Sequence, residues 1–464
     1  LRNLVSELDP GLIGLSVMSS LYLEQVMAVS RFLRHEFRIP QVWGGVYASM
    51  FPEKCLVYAD FVLRGECEEA IVELADAVLG NRDFHHIKNL AYKTPSGGNG
   101  ATAVINELRP LCGDLDRLGY PVFSNENKYF IDNGRIISGD PALDSVSYEL
   151  SASRGCPFVC SFCSSANIKR MYAGKGRFVR FRSPTNIIAE LGEALENIKR
   201  LKVIHFWDEI FPDDREWIDD FAAQYKSQIG LPFVIWVHPL KTEEYTISKL
   251  VDAGLYKAVM GIQSGSQRIR NDIFHRRETR EDILKASGIL AGCRVRQITY
   301  DFILRHPFEN EEDIRQTYEL CTELERPSEL QLHGLGFLPG TDITGIAEKY
   351  GIDAPLSESG PGIPMKTVYR DYWGRKSSDP VINFWYSLIY MSQFGPGLRM
   401  AKYLSKARKT RIVMKMAMVL SALLRPAAGA RSLYKKARML AVAYIRKFSA
   451  ARAERQAVEC HEGK

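Results

Sequence analysis

Three cysteines in one short stretch are the residues of this chain best suited to chemistry. Cys156, Cys160 and Cys163 have the spacing C-x3-C-x2-C. Thiolates are the preferred ligands of iron–sulfur clusters, and three of them on a four-iron cube leave one iron without a protein ligand. An open metal position is typical of a site that does chemistry. A structural zinc site would need a fourth ligand nearby, and no Cys or His follows Cys163 for dozens of residues.

The elements that must position this loop form a repeated pattern over residues 146–345. Six strand-like runs alternate with amphipathic helical stretches; the runs are Ser147–Ala152, Val203–Trp207, Phe233–Val237, Ala258–Ile262, Gln297–Leu304 and Glu329–Phe337. Such an alternation predicts a partial, TIM-like (β/α)6 barrel with its chemistry at the carboxyl ends of the strands. The cysteines follow the first strand, Asp208 and Glu209 the second, and Gln263 and Ser264 the fourth.

Residues 1–110 predict a second α/β layer. Short apolar runs alternate there with helical segments, which indicates a partial Rossmann-like, flavodoxin-type sheet. Ligands of such sheets bind at the carboxyl ends of the strands, where Ser16, Gly44-Gly45 and Gly65-Glu66 fall. Adjacent glycines let backbone approach a bulky ligand, although a plain tight turn is the simpler explanation.

The remaining segments are expected to be a linker and a helical end. We expect a linker over residues 111–145, with a hairpin at Tyr129–Ile137, and a helical C-terminal region over 346–464. The aromatic segments Tyr369–Trp373 and Phe384–Tyr386 are expected to pack over the barrel mouth, where such caps shape a substrate pocket.

Composition and charge set the class of protein. Hydrophobic residues make up 46% and charged residues 25% of the 464 residues, as in ordinary soluble proteins. Nine scattered cysteines do not form a disulfide framework and favour a reducing cytoplasm. No signal peptide is recognisable, but Leu1 is not an initiator methionine, so we expect the natural N-terminus to lie upstream.

The basic residues are concentrated at the C-terminal end. Residues 401–464 carry 16 Lys and Arg against three acidic residues. This pattern allows a solvated helical tail, a pair of helices on the inner surface of a membrane, or a nucleic-acid contact, the last without a supporting fold. The apolar run Ile412–Leu424 is too short to span a bilayer.

The central region resembles the radical S-adenosylmethionine (SAM) superfamily. The resemblance lies in the cysteine motif with Phe162 before its last cysteine, in Gly261–Ser266, in Asp301–Leu304 and in Phe337–Thr341. It implies a [4Fe-4S] cluster on the three cysteines, with SAM bound at the open iron and cleaved reductively to a 5′-deoxyadenosyl radical. It also implies an electron donor such as flavodoxin or ferredoxin.

Site roles follow from that resemblance. Phe162 would contact the adenine, Asp208 and Glu209 the methionine ammonium, and Gln263 and Ser264 the ribose and carboxylate. Other interpretations remain open. Asp208 and Glu209 suit a helix N-terminus, and Gln263 and Ser264 suit a turn.

Three further polar residues of the central region have no assigned role. Asp301 suits an ion pair as well as a ligand contact. His238 and His306 suit acid–base or substrate roles, but a structural role is commoner for histidine.

The N-terminal region is similar to the later half of the cobalamin-binding domain that precedes many radical SAM enzymes. The similarity lies in Ile13–Ser16, in Trp43–Ala48 and in Val62–Glu66. It implies that Ser16, Gly44 and Gly45 line the channel for the nucleotide tail of cobalamin. The first strand and helix of that domain would precede Leu1, and Tyr47 stands where a histidine often follows the double glycine.

Together these features predict a cobalamin-dependent radical SAM methyltransferase that acts on an unactivated carbon of a small molecule. Its substrate would be lipid-like if the tail lies on a membrane. A radical SAM cyclase or rearrangement enzyme is the alternative enzyme, and a non-catalytic cobalamin or cluster sensor is the alternative outside catalysis.

Overall fold

The computed structural model describes residues 1–95, 101–326, 328–353 and 377–424, together with residues 426 and 439. It divides into two compact units. The N-terminal unit comprises Leu1–Asp114, Gly155–Val179 and Gly334–Arg375, and the barrel unit comprises Leu115–Arg154, Arg180–His333 and Lys376–Lys464. The expected domains, 1–110, 111–145, 146–345 and 346–464, stay a prediction. The aromatic segment Tyr369–Trp373 lies outside the described residues.

The strands and helices are numbered along the chain. The strands are β1 (Ile13–Ser16), β2 (Gln41–Gly44), β3 (Phe61–Leu63), β4 (Leu90–Pro95), β5 (Ala101–Ile105), β6 (Tyr129–Asp132), β7 (Arg135–Ser138), β8 (Ser147–Leu150), β9 (Ser153–Arg154), β10 (Arg180–Phe181), β11 (Val203–Phe206), β12 (Phe233–Val237), β13 (Leu255–Gln263), β14 (Gln297–Leu304) and β15 (Ser328–Gly334). The helices are α1 (Arg2–Leu8), α2 (Leu23–Phe37), α3 (Val46–Met50), α4 (Pro52–Cys55), α5 (Glu68–Leu79), α6 (Ser164–Met171), α7 (Pro184–Asn197), α8 (Arg215–Gln228), α9 (Glu244–Ala253), α10 (Arg280–Gly292), α11 (Glu311–Glu323), α12 (Asp342–Lys349), α13 (Pro380–Ser392), α14 (Gly395–Lys406) and α15 (Arg411–Leu423).

The N-terminal unit is built on a five-stranded sheet in the order β1-β2-β3-β4-β5. Strands β1 to β3 are parallel, as expected for a doubly wound layer. Both faces of β2 and β3 are covered, since Trp43 and Val62 belong to one apolar core and Val42 and Leu63 to another. Strands β4 and β5 add an antiparallel hairpin that the sequence did not predict.

The barrel unit contains a six-stranded sheet in the order β15-β14-β13-β12-β11-β8. The pairs from β8 to β14 are parallel, which confirms the partial (β/α)6 barrel. Alternate residues point to the helices that cover its outer face: Ile204, Phe206, Ile235 and Met260 are buried there in one large core. The short hairpin β6–β7 is also confirmed, with Asp132 opposite Arg135.

Three C-terminal helices complete the outer layer of the barrel unit. Phe384 and Trp385 of α13 are buried in the outer core, and Trp385 Nε1 donates a hydrogen bond to Glu311 of α11. The helix of Phe384 and Trp385 thus packs beside α11, and the expected cap over the barrel mouth stays a prediction. Among the residues described, no helix has the length and apolarity to cross a bilayer.

Candidate active site

The cysteine loop is a tight turn that runs into helix α6. The N–H of Cys163 donates to the carbonyl of Cys160 at 3.1 Å, and Cys163 is the residue directly before α6. Gly155 opens the loop with φ +89°, and a Cβ there would lie 2.3 Å from the Phe178 carbonyl oxygen. Only glycine fits that position without strain. Cys156, Cys160 and Cys163 are thiols of intermediate burial.

The three thiols suit a cluster better than a single ion. Within the described part of the chain, no three His, Cys, Asp or Glu side chains are grouped so that they could hold one metal ion. A four-iron cluster makes a different demand, because each thiolate binds its own iron atom. The donor set of the loop, three cysteines and no fourth, therefore fits a [4Fe-4S] cluster with one open iron.

Helix α6 is held by the segment that follows β15 in the chain. Asn167 Nδ2 donates to the Gly340 carbonyl at 2.6 Å, and the Arg170 guanidinium contacts both carboxylate oxygens of Asp342 at 3.0 and 2.7 Å. A Cβ at Gly340 would lie 2.8 Å from the Phe51 ring, and φ is +75° there. The segment Phe337–Thr341, one of the motifs that carry the resemblance, thus helps to fix the helix that follows the last cysteine.

Tyr172, the residue directly after helix α6, packs against the loop that follows strand β3. The Tyr172 hydroxyl accepts a hydrogen bond from the Glu66 N–H at 2.7 Å. A Cβ at Gly65 would overlap the Tyr172 hydroxyl, at 1.9 Å. Asn89 Nδ2 donates to the carbonyl of Glu66 at 3.0 Å. The Gly65-Glu66 loop therefore binds protein, so of the three polar strand ends only those of β1 and β2 are left for a ligand.

Those two strand ends are the ones predicted to contact cobalamin. Ser16 is exposed and pairs in register with Gly44. A Cβ at Gly44 would meet no atom closer than 4.0 Å, whereas one at Gly45 would lie 2.8 Å from the Val17 carbonyl, with φ +98°. The turn therefore requires glycine at Gly45 only. Gly44, which has room for a Cβ, and the exposed Ser16 beside it are together called here the cradle.

Asp208 is a buried support of the strand that leads to the cysteine loop. Its carboxylate accepts hydrogen bonds from the Ala152 N–H, at 3.2 Å, and from the Ser153 hydroxyl. Burial raises the pKa of the Asp208 carboxyl to about 6, against the opposing effect of these hydrogen bonds. The helix N-terminus interpretation of Asp208 and Glu209 is wrong, since the next helix begins at Arg215. Glu209 is exposed.

Gln263 and Ser264 differ in what their side chains do. Gln263 lies at the end of β13 with φ +69°, and its Oε1 is buried without a hydrogen-bond partner. A buried acceptor of this kind normally has a donor, so Gln263 fits a ligand contact. The Ser264 hydroxyl accepts from the Ser266 N–H at 3.2 Å, which is the turn interpretation. Phe162 is half-buried and belongs to the N-terminal unit, whereas Gln263 and Ser264 belong to the barrel unit.

His238 belongs to a buried charged cluster. Its Nδ1 accepts from the Leu240 N–H at 3.2 Å, and its Nε2 lies 3.7 Å from Glu278 Oε2. Glu278 is fully buried and paired with Arg276. Burial, with the nearby Arg276 cation, lowers the pKa of the His238 imidazole to about 2, so the ring is neutral. This supports the structural role for His238.

His306 lies in a second buried cluster, after strand β14. Its Nε2 is 3.8 Å from Glu309 Oε1, and Glu309 Oε2 accepts hydrogen bonds from the Tyr386 hydroxyl at 2.6 Å and the Arg305 N–H at 2.9 Å. Burial raises the pKa of Glu309 to about 8 and lowers the pKa of His306 to about 3. The contact between Glu309 and Tyr386 was not predicted from the sequence, because Tyr386 reaches Glu309 from helix α13.

Asp301 has the ion-pair geometry that was one of its two expected roles. Its Oδ1 lies 2.9 Å from Nε2 of His333 on the neighbouring strand β15. His333 was not predicted as its partner, because this pairing depends on which strands become neighbours in the sheet.

A family model and related sequences match this chain. The model described as the radical SAM superfamily matches residues 150–321. An uncharacterized methyltransferase of Pyrococcus horikoshii is 25% identical over 70% of this chain and 67% of its own length. The anaerobic magnesium-protoporphyrin IX monomethyl ester cyclase of Rubrivivax gelatinosus is 24% identical over 69% of this chain. The chain spans 56% of that cyclase.

Two solved structures share the fold. The radical SAM methyltransferase TsrM from Kitasatospora setae, with cobalamin and a [4Fe-4S] cluster bound, has a TM-score of 0.57, 16% identity and 88% coverage of both chains. The cobalamin-dependent SAM radical enzyme OxsB, with aqua-cobalamin and SAM bound, has a TM-score of 0.59 and 12% identity, and the match covers 99% of this chain and 74% of OxsB. The expected fold is therefore confirmed over most of the chain.

Proposed function

We propose that this chain, whose residues 150–321 match the radical SAM superfamily, is a cobalamin-dependent methyltransferase acting on an unactivated carbon of a small molecule. One observation carries the proposal. The cysteine loop and the cradle of Ser16 and Gly44 are parts of the same compact unit, and hydrogen bonds such as that between Tyr172 and Glu66 join α6 to the sheet that carries the cradle.

The residues of the cysteine loop have distinct tasks in this proposal. A [4Fe-4S] cluster would supply the electron that cleaves SAM. Cys156, Cys160 and Cys163 would hold it, and the turn from Cys160 to Cys163 fixes the spacing of the last two thiolates. Phe162, between them in the chain, is half-buried and offers an aromatic ring for the adenine.

For SAM itself we propose Gln263 and Glu209 as the main contacts from the barrel. The buried Oε1 of Gln263 would accept a hydrogen bond from the ribose. Glu209 is exposed and can reach an ammonium, whereas Asp208 is buried and accepts hydrogen bonds from Ala152 and Ser153, so we propose Glu209 for this contact. Asp208 would instead hold the strand end that precedes the cysteine loop.

Cobalamin would carry the methyl group. Ser16 offers an exposed hydroxyl, and Gly44 offers backbone with no side chain above it, so both can contact the nucleotide tail closely. The turn at Gly45 keeps these two groups side by side through the hydrogen bond from the Val17 N–H to the Gly44 carbonyl, at 2.7 Å.

Anaerobic reconstitution with iron, sulfide, cobalamin, SAM and a strong reductant tests the proposal. A methyltransferase of this type forms two SAM products, 5′-deoxyadenosine from cleavage and S-adenosylhomocysteine from methyl donation. Deoxyadenosine alone, whether or not cobalamin is added, would favour the radical cyclase alternative, to which the similarity with the Rubrivivax cyclase also points. Neither product would favour a non-catalytic sensor.

For the C-terminal helices we propose contact with an anionic membrane surface. Ile412, Met416, Val419 and Leu423 form a stripe at helical spacing on α15, with exposed fractions of 79%, 41%, 58% and 69%. Residues 395–424 contain seven Lys or Arg and no acidic residue. An apolar stripe bordered by cations suits a helix lying in the headgroup region, and such a site would suit a lipid-like substrate at the inner face of the cytoplasmic membrane.

Vesicle co-sedimentation separates this proposal from a merely solvated tail. Val419→Asp should reduce pelleting of the full chain with anionic vesicles, and high salt should reduce it further. Leu79→Asp is the matched control, because Leu79 is 65% exposed on α5 of the N-terminal unit. Equal pelleting of both variants and the unaltered chain would overturn the proposal.

For the electron that reduces the cluster, we propose a flavodoxin or ferredoxin as donor.

A further inference from the structure

Two tryptophans form a stacked pair on the inner face of the barrel sheet. Trp207 follows β11 and Trp236 lies in β12; their ring centroids are 4.3 Å apart and their planes differ by 26°. Their neighbours Phe206 and Ile235 point the other way, into the outer core. Trp236 packs with Val234 and with Met439 of the C-terminal region in a separate small cluster, so the pair lies on the face opposite the outer helices.

Trp207 is exposed, Trp236 is half-buried, and the backbones of both residues are held by hydrogen bonds. The Trp207 side chain is 51% exposed. It stands at the carboxyl end of a barrel strand, which is where barrels of this kind bind their ligands. Its N–H donates to the Leu150 carbonyl at 2.8 Å, and the Trp236 carbonyl accepts from the Phe211 N–H at 3.0 Å. Both backbones are therefore fixed by neighbouring elements, which preorganises the rings as a binding surface.

Along the same face of the sheet, the side chains on β13 are small and those on β14 and β15 are polar. The inner positions of β13 are Val259 and Gly261, and the Gln263 amide lies over Gly261, since a Cβ there would be 2.7 Å from its nitrogen. On the next two strands, β14 and β15, Asp301 pairs with His333. Asp301 stands in register with Gly261. One side of the inner face is thus aromatic and the other carries a carboxylate.

We propose that the substrate contains a flat, π-conjugated ring that stacks on Trp207, and a hydrogen-bond donor or cationic group that binds Asp301. Aromatic rings gain energy by offset stacking beyond the area they bury. A carboxylate whose side chain is 22% exposed retains acceptor capacity beyond its contact with His333. This inference rests on the proposed function for the reaction, but it concerns only the class of substrate.

Binding of two model amines to the reconstituted full chain tests the inference. The probes are 2-naphthylmethylamine, which has a flat ring and an ammonium group, and cyclohexylmethylamine, which has the same ammonium on a puckered ring. By calorimetry the naphthyl compound should bind more tightly. Trp207→Leu should weaken its binding by about 3- to 10-fold, the range expected for one stacked pair, and leave the cyclohexyl compound unchanged.

Further variants separate stacking from loss of structure. Trp207→Phe should restore most of the naphthyl affinity, Asp301→Asn should weaken both probes, and Tyr403→Leu, at an exposed ring on α14, should change neither. Equal binding of the two probes, or unchanged naphthyl affinity in a folded Trp207→Leu variant, would overturn the inference. Deoxyadenosine formation, measured without probe, reports on the proposed function independently, so the two ideas can fail separately.

Discussion

The Tyr172 hydroxyl accepts a hydrogen bond from the backbone N–H of Glu66 at 2.7 Å, and this contact joins the helix after the cysteine motif to the third strand of the N-terminal sheet. Burial raises the pKa of the Tyr172 phenol, so the hydroxyl remains protonated. The sheet and the metal-binding loop are therefore parts of one folded unit, although 106 positions separate the two residues.

Removing that hydroxyl should destabilise the protein. Tyr172→Phe leaves the Glu66 N–H without this acceptor, so the free energy of unfolding should fall by about 1–3 kcal/mol. Urea denaturation measures the change. Tyr403→Phe, at a ring that is 70% exposed, is the control and should change stability little. Equal stability of the two variants would contradict the anchoring role of Tyr172.

The two adjacent glycines should respond differently to alanine. Gly45→Ala places a Cβ 2.8 Å from the Val17 carbonyl at φ +98°, so it should cost more than about 1 kcal/mol of stability. In Gly44→Ala the new Cβ would lie no closer than 4.0 Å to any other atom, so stability should be nearly unchanged. The substitution should nevertheless weaken cobalamin binding, measured by equilibrium dialysis, because its methyl group would occupy the cradle. Undiminished binding by Gly44→Ala would exclude the cradle as the cobalamin site.

Each cysteine of the loop should be essential for the cluster. Replacement of Cys156, Cys160 or Cys163 by Ala should lower deoxyadenosine formation by more than about 100-fold. This loss exceeds the one expected when a residue that only supports a metal ligand is replaced. The iron and sulfide content and the visible absorption of the reconstituted protein give an independent measurement. Cys293→Ala, at a partly buried thiol after α10, should keep both properties. A single variant with an intact cluster would show that the motif is not the ligand set.

The cluster of Glu309 and His306 should give stability a specific pH dependence. The pKa of Glu309 is raised to about 8, so the folded protein holds its proton more tightly than the unfolded chain does. Its contribution is present at low pH and is lost as pH rises towards 8. The pKa of His306 is lowered to about 3, so its contribution is lost as pH falls below about 6.5.

Between pH 6.5 and 8 only the Glu309 effect should operate within this pair. The unaltered protein should lose up to about 2 kcal/mol of stability over that interval. Glu309→Gln keeps an oxygen for the Tyr386 hydroxyl and the Arg305 N–H but cannot ionise, so it should remove this loss. Glu196→Gln, at an exposed position on α7, should not. Chemical denaturation across the interval measures the slopes, and equal slopes in all three proteins would contradict the assignment.

The elements that the sequence predicted best have strong local signals. Helix α10 lies in one of the amphipathic helical stretches predicted between the strands of the central region. It runs from Arg280 to Gly292, and Thr279 and Asp282 form a capping box at its start. The hairpin β4–β5 was missed, because its strands are short and pair antiparallel beside a parallel sheet. Local patterns decide where helices begin, whereas the neighbours of an edge strand depend on the whole sheet.

The candidate site shows the same division. The cysteine motif was readable because its three ligands lie within eight residues of sequence. The support of Asp208 by Ala152 and Ser153 joins residues more than fifty positions apart. The cluster of Glu309 and Tyr386 spans 77 positions. The spacing of residues along the chain does not reveal such contacts. The sequence could therefore suggest that Asp208 contacts SAM, but it could not show that Asp208 is hydrogen-bonded to Ala152 and Ser153.

The discontinuity of the N-terminal unit has a consequence for chimeric enzymes. Its three segments are 1–114, 155–179 and 334–375, so the chain passes between the two units five times. A chimera that exchanges only residues 1–114 with a relative would set a foreign sheet against the native Tyr172, Asn167 and Gly340. Such hybrids should fold poorly unless all three segments are transplanted together. Homologous recombination among related chains should be tolerated best when its crossovers fall at the boundaries of those segments.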